Sequence, residues 1–250
     1  MTGALQGEER TRVRSALEAR YDALWDAAAP AVRAGGVTAD PRALDKEADA
    51  RRGVTVIAHP APAVADALAR FAAELREVEP AQYYQPPSDL HTTVLSVFTG
   101  TPDWAAHLAH VDAYRDAVAE AVGGDVEPFA VDACGVTLST GAVLVQGFPR
   151  DGSLERLREA LRAALTRRGV GAGLDRRYRL VTAHTTLVRF TAPLADPARF
   201  VDHLAAARGR DFGSSVIDRV ELVLSDWYHS ADRSESLGVY ALGAAGRPGG

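Results

Sequence analysis

The chain has 250 residues, 47% of them hydrophobic and 24% charged, a balance that allows a substantial buried core and excludes wholesale disorder. A net charge of -5 and a pI near 5.8 argue against broad electrostatic binding of duplex DNA, which calls for a basic surface. Cys134 is the single cysteine, which excludes an intramolecular disulfide and fits a reducing compartment; with no basic leader and no apolar run near 18 residues, the chain reads as cytoplasmic and without a membrane span.

Val13, Leu17, Tyr21, Leu24, Trp25 and Ala28 recur at three- and four-residue spacings, which predicts an amphipathic helix over 8–29, interrupted by Pro30. Asp40-Pro41 supplies a cap and first position for a short charged helix reaching residue 51. Residues 1–52 carry no evident chemistry and read as a helical extension packed on a main body at 53–250, or as an interaction arm. The β-branched run at 54–58 predicts the first strand of that body. Val64, Leu68, Phe71, Leu75 and Val78 predict a helix over 63–78, and 83–89, with Pro86-Pro87, a loop. Leu90-His91-Thr92-Thr93-Val94-Leu95 then opens a strand over 91–98, and Thr101-Pro102-Asp103 a helix to 122 that Gly123-Gly124 ends.

The second half repeats this order. Strands are predicted at 129–138 and 142–147, a helix at 153–168, a glycine-rich loop at 169–173, and a strand at 178–190 carrying Ala183-His184-Thr185-Thr186-Leu187-Val188. A helix at 197–207, strands at 216–224 and 237–242 and a frayed tail at 246–250 complete the chain. The expected fold is therefore α+β: two pseudo-symmetric lobes, each a mainly antiparallel sheet with helices on its outer face, the motif strands lining a central cleft.

The repeated His-Thr-Thr is where chemistry concentrates. Side chains alternate along a strand, so His91 shares a face with Thr93, and His184 with Thr186, while Thr92 and Thr185 point to the other side. Two imidazoles and two hydroxyls facing one cleft suit acid/base work on a phosphate: one ring takes a proton, the other gives one, and the hydroxyls donate to phosphoryl oxygens.

Two H-x-T-aliphatic motifs, on strands in the two halves of a small α+β chain, resemble the two-histidine (2H) phosphoesterase superfamily, which includes bacterial 2'-5' RNA ligases and cyclic nucleotide phosphodiesterases. The resemblance covers roughly 53–242 by element order and rests at residue level on His91, Thr93, His184 and Thr186. It implies a bilobal fold, His91 and His184 as the acid/base pair, Thr93 and Thr186 on phosphate oxygens, and catalysis with no metal or other cofactor. The implied ligand is a small nucleotide or RNA end carrying a 2',3'-cyclic phosphate, or a 2'-5' linkage. The alternative is a non-catalytic nucleotide- or RNA-binding module using the same cleft. The chain departs from the family pattern in one respect: the residue between His and Thr, usually apolar, is Thr92 or Thr185.

Other residues are weaker candidates. Tyr83, Tyr84, Trp227 and Tyr228 lie near strand ends where a base can stack, and Tyr84 and Tyr228 are taken as the ligand contacts. Arg189 follows the second motif, but alternation turns it away from His184 unless the strand bends. Arg167, Arg168, Arg176, Arg177 and Arg179 form a basic group that either steers a polyanion or is a solvated surface. His107 and His110, three apart on a helix, fall short of a metal site. Cys134 is expected to be buried, and His59, His203 and His229 are assigned no role. The acid/base reading predicts that His91→Ala or His184→Ala each lowers phosphodiester turnover by about 100- to 10,000-fold; full turnover in either variant contradicts it.

Overall fold

Apolar periodicity dictates most of the elements. In the computed structural model, which describes residues 2–124, 126–176 and 178–243, α1 (Thr2–Arg33) is followed by β1 (Arg52–Ala58), α2 (Pro62–Val78), β2 (Tyr83–Tyr84), β3 (Thr92–Thr101) and α3 (Val111–Val122). Next come β4 (Phe129–Ser139), β5 (Ala142–Pro149), α4 (Ser153–Arg167), β6 (Thr185–Arg189) and α5 (Pro197–Ala206). β7 (Asp211–Ile217), β8 (Arg219–Asp226) and β9 (Glu235–Ala241) close the fold. Each of α2, α4 and α5 presents one apolar stripe, such as Val64, Leu68, Phe71 and Leu75 of α2, so each must lie on a sheet. Arg177 and the 246–250 tail lie outside the described residues.

The fold is α+β, with a curled antiparallel sheet and helices outside it. Among the described residues nine strands form this sheet, in the order β7-β4-β5-β6-β3-β1-β8-β9, with β2 added alongside β6. The two motif strands are its central neighbours, and they pair at one position, Thr92 opposite Thr185. On either side of that junction lies a four-stranded half: β3-β1-β8-β9 and β6-β5-β4-β7. Each half contains the same unit, β1-α2-β3 in one and β5-α4-β6 in the other.

Two helices, α2 and α4, are exchanged between the halves. α2 links two strands of the first half yet packs its apolar stripe with Val136, Val143, Leu187 and Phe212 of the second. α4 links two strands of the second half and packs, with α3, against Val54, Val94 and Leu222 of the first. Neither half-sheet buries its outer face without a helix that the other half delivers, so the halves form one cooperative unit.

One buried cation joins the halves beneath the sheet. Arg158 of α4 is 1% exposed. Its Nε donates to the Val94 carbonyl at 2.8 Å, and its Nη2 donates to the carbonyls of Thr93 at 3.2 Å and Thr182 at 2.7 Å. A fork of fixed geometry thus ties the backbone of one motif strand to the segment that delivers the other. On the same junction the Thr92 and Thr185 hydroxyls are 3.3 Å apart, which gives the residues between His and Thr a partner in each other.

Several sequence expectations are corrected. The strand expected over 178–190 is confined to Thr185–Arg189. Just before it, Ala183 passes so close to β5 that a Cβ on Gly147 would sit 1.9 Å from the Ala183 carbonyl oxygen, and the Ala183 N–H donates to the Tyr21 hydroxyl at 3.1 Å instead of to a strand. The strand expected over 216–224 is two, β7 and β8, meeting at Asp218; the start of β7 carries no strand pattern because Gly213, Ser214 and Ser215 interrupt its apolar residues. The first helix runs past Pro30 to Arg33, since a proline in the last turn removes only one of the final bonds. The short helix expected after Asp40 is two 3-10 turns, Pro41–Leu44 and Lys46–Ala48. The helix expected from 101 begins as a 3-10 turn, Trp104–His110. Cys134 is partly exposed, not buried.

Because Arg158→Met keeps bulk but removes all three donated bonds, urea unfolding of that variant is expected to show a loss of about 3 kcal/mol. A loss well under about 1 kcal/mol, the size of an ordinary surface change, contradicts the joining role.

Candidate active site

His91 and His184 are the residues immediately before β3 and β6, so the junction of the two half-sheets fixes where both rings lie. Together with Thr93 and Thr186 they line a cleft of about 610 Å³ on the concave side of the sheet, in the size range of small-molecule sites. The structure therefore brings the four motif side chains expected from sequence to one cavity. Leu144, Thr55 and Ser96 add to its floor. Arg20 and Leu24 of α1 reach the same cleft, so the N-terminal segment carries part of its wall.

The hydrogen bonds of the two imidazoles differ. His91 Nδ1 is 2.8 Å from the Asp89 carbonyl oxygen, an acceptor only, so Nδ1 carries the hydrogen and Nε2 presents a lone pair. His184 Nδ1 is 2.8 Å from the Thr182 hydroxyl, which can donate as well as accept, so this ring is able to carry its hydrogen on Nε2. Burial pushes the pKa of His91 down to about 4, an effect that the Asp89 hydrogen bond only partly opposes. Burial likewise pushes His184 down to about 4, with the charges of His91, Arg158 and Arg189 adding to it. Both rings are neutral near pH 7.

Arg189 lines the cleft as well, contrary to simple alternation. The reason is a bulge. In the β5–β6 ladder Val143 faces Val188 but Leu144 faces Thr186, leaving Leu187 as the extra residue and returning Arg189 to the face of Thr186. A register shift falls in the β1–β3 ladder too, where Val56 faces Leu95 and Ile57 faces Thr93, and Ser96 occupies the position five residues after His91 that Arg189 occupies after His184. Arg189 Nε is buried with no hydrogen-bond partner, and its guanidinium lies 5.5 Å from the Tyr228 ring centroid. Burial lowers its pKa, opposed by Tyr228, Asp40, Tyr83 and Asp226. A desolvated guanidinium on the wall of a cavity is suited to an anion.

The two tyrosines expected to contact ligand are not in the cleft. Tyr84 lies in the apolar core with Leu75, Leu90 and Val188, its hydroxyl donating to the Glu79 carbonyl at 2.8 Å. Tyr228 is fully buried and donates to Asp40 at 3.0 Å. Of the four aromatic candidates Trp227 lines the cleft, beneath the Arg51 guanidinium at 4.3 Å. Parity could not separate Trp227 from Tyr228, because the chain turns there. His229, given no role from sequence, also lines the cleft.

Three members of the basic group are ion-paired. Arg167 and Arg168 pair with Glu120, and Arg179 pairs with Glu159 and, at 3.6 Å, with Glu155; Arg176 remains on the cleft wall. His107 stacks on Phe98 at 4.0 Å and His110 lies edge-on to Tyr114 at 6.4 Å. Among the described residues there is no cluster of three or more His, Cys, Asp or Glu placed to hold a metal, and no helix is long and apolar enough to cross a membrane.

Comparison with solved structures finds the same fold. TT0787 of Thermus thermophilus superposes with a TM-score of 0.55 at 19% identity, covering 76% of this chain and 97% of its own. LigT of E. coli, in its apo form, gives 0.51 at 14% identity, covering 77% of this chain and 98% of its own. A protein described as a phosphoesterase gives 0.50 at 15% identity, with 76% and 98% covered. No family model matches the sequence, and no curated protein matches it. The fold is LigT-like.

Because the unfolded chain takes up protons near pH 6.5 while the folded rings resist them until about 4, stability present above pH 6.5 is lost as pH falls through that window. Urea unfolding at successive pH values is expected to show this loss, and a His91→Gln/His184→Gln double variant a shallower one. Superimposable pH profiles contradict the burial of the rings.

Proposed function

We propose that the protein is a 2H-type phosphodiesterase that opens a 2',3'-cyclic phosphate, or cleaves a 2'-5' linkage, on a small nucleotide or RNA end. The observation that carries this reading is the convergence of His91, Thr93, His184, Thr186 and Arg189 on one cleft. The shared fold with LigT and a phosphoesterase supports it.

His91, with its Nε2 lone pair turned out, takes a proton from water as the water oxygen bonds to phosphorus. His184 gives its Nε2 proton to the departing ribose oxygen as the phosphorus–oxygen bond breaks. The rings then re-equilibrate with solvent. A bound phosphate anion supplies the opposite charge that burial denies these rings, raising the pKa of His184 so that it carries a proton near neutrality. The Thr93 and Thr186 hydroxyls donate to the non-bridging oxygens, and Arg189 offsets the charge that grows on them.

Protein treated with EDTA is expected to convert 2',3'-cyclic nucleotides to monophosphates, and Arg189→Met to lower kcat/KM by about 100-fold. Tight binding without product contradicts the enzyme in favour of a binding module, and activity lost to EDTA contradicts the two-histidine mechanism.

A further inference from the structure

A third imidazole stands in the cleft. The ring of His229 packs on that of His91 with centroids 4.3 Å apart and planes tilted by 40°. Its backbone has φ of +57°, a region that a histidine occupies only when its surroundings enforce it. Those surroundings are explicit. Asp226 Oδ1 accepts from the backbone N–H groups of Tyr228 at 2.9 Å and Ser230 at 3.0 Å, and Oδ2 accepts from the Ser230 hydroxyl at 2.9 Å. The His229 Nδ1 is 3.0 Å from the Ser225 hydroxyl.

The turn is also fastened to His91 by a separate route. Asp89, whose carbonyl orients His91, accepts from the Ala231 N–H at 3.0 Å through its carboxylate. Lys46, from the segment preceding β1, lies 3.8 Å from the same carboxylate and donates to the Tyr83 hydroxyl at 2.6 Å and the Ser230 hydroxyl at 2.5 Å. A strained turn, held by three elements, thus carries one ring onto the face of another.

We propose that His229 is a positioning residue of this site: its ring, stacked on His91, holds the His91 imidazole in one orientation and shields that face from water. Its function rests on the reading of His91 as the base. The titratable and charged groups facing His91 are His59 after β1, Asp89 before β3, Arg189 on β6, His184 and His229 itself. The stacked ring is what excludes solvent on the turn side, and burial is the largest cause of the low pKa of His91. The N-terminal segment acquires a role as well, since Lys46 braces the turn.

The test compares His229→Asn, which tolerates the left-handed backbone but removes the ring, with His229→Phe, which keeps a ring. His229→Asn is expected to lower kcat by about 100-fold with KM nearly unchanged. The acid limb of kcat/KM should move upward, toward the ordinary imidazole value near 6.5, as water reaches His91. His229→Phe is expected to recover most of kcat and the original limb. Wild-type kcat and an unmoved limb in His229→Asn overturn the proposal, as does a Phe variant as impaired as the Asn one. NMR titration of the His91 imidazole in the three proteins reads the same shielding without any turnover: an upward shift in the Asn variant alone supports the proposal, and no shift overturns it. If His91→Ala keeps full activity, the catalytic reading fails while this titration still decides what His229 does to its neighbour.

Discussion

A single guanidinium holds the two motif strands in register. Arg158 reaches from α4 under the sheet to three carbonyls, two on β3 and one just ahead of β6, and the strands themselves share only the Thr92–Thr185 pair. A junction so narrow would leave the half-sheets free to hinge, and the histidines with them. The buried fork, the exchanged helices and the two threonine hydroxyls together remove that freedom. Placing a charged side chain in the core is costly unless its donors are met; here they meet backbone carbonyls at the position from which both rings are set. The buried Tyr21 hydroxyl accepts from Ala183 and Gly147 and donates back to the Gly147 carbonyl, so that α1 helps fix the residue preceding His184.

Much of the site was legible because it depends on short-range rules. Period-two alternation paired His91 with Thr93 and His184 with Thr186, and the repeated tripeptide pointed to a second copy of the same strand. The helices that carry clear apolar stripes appeared close to their expected bounds. Where the motifs of the resembled family usually carry an apolar residue, Thr92 and Thr185 bring their hydroxyls together across the junction.

What was not legible depends on irregular backbone or on distant contacts. Arg189 enters the cleft because Leu187 is a bulge, and alternation alone sends it the wrong way. His229 arrives on a left-handed turn whose partners, Asp89 and Lys46, are far away in sequence. Tyr84 and Tyr228 lie near strand ends, yet a strand end says nothing about which side of the sheet an aromatic takes: Tyr84 packs into the core and Tyr228 lies against the Arg189 guanidinium. The N-terminal segment looked inert because its contributions, Arg20 on the cleft wall and Lys46 under the turn, are single side chains within otherwise ordinary helical sequence.

The proposed mechanism requires one phosphate held between His91 and His184, with Arg189 alongside. A crystal structure with a nucleoside 2'- or 3'-monophosphate tests it most directly. Phosphoryl oxygens are expected within hydrogen-bond reach, about 2.6–3.2 Å, of the Nε2 atoms of both histidines, with the Arg189 guanidinium and the Thr93 and Thr186 hydroxyls on the remaining oxygens. A phosphate bound in the cleft but in reach of only one of the two rings, or bound elsewhere on the molecule, contradicts it.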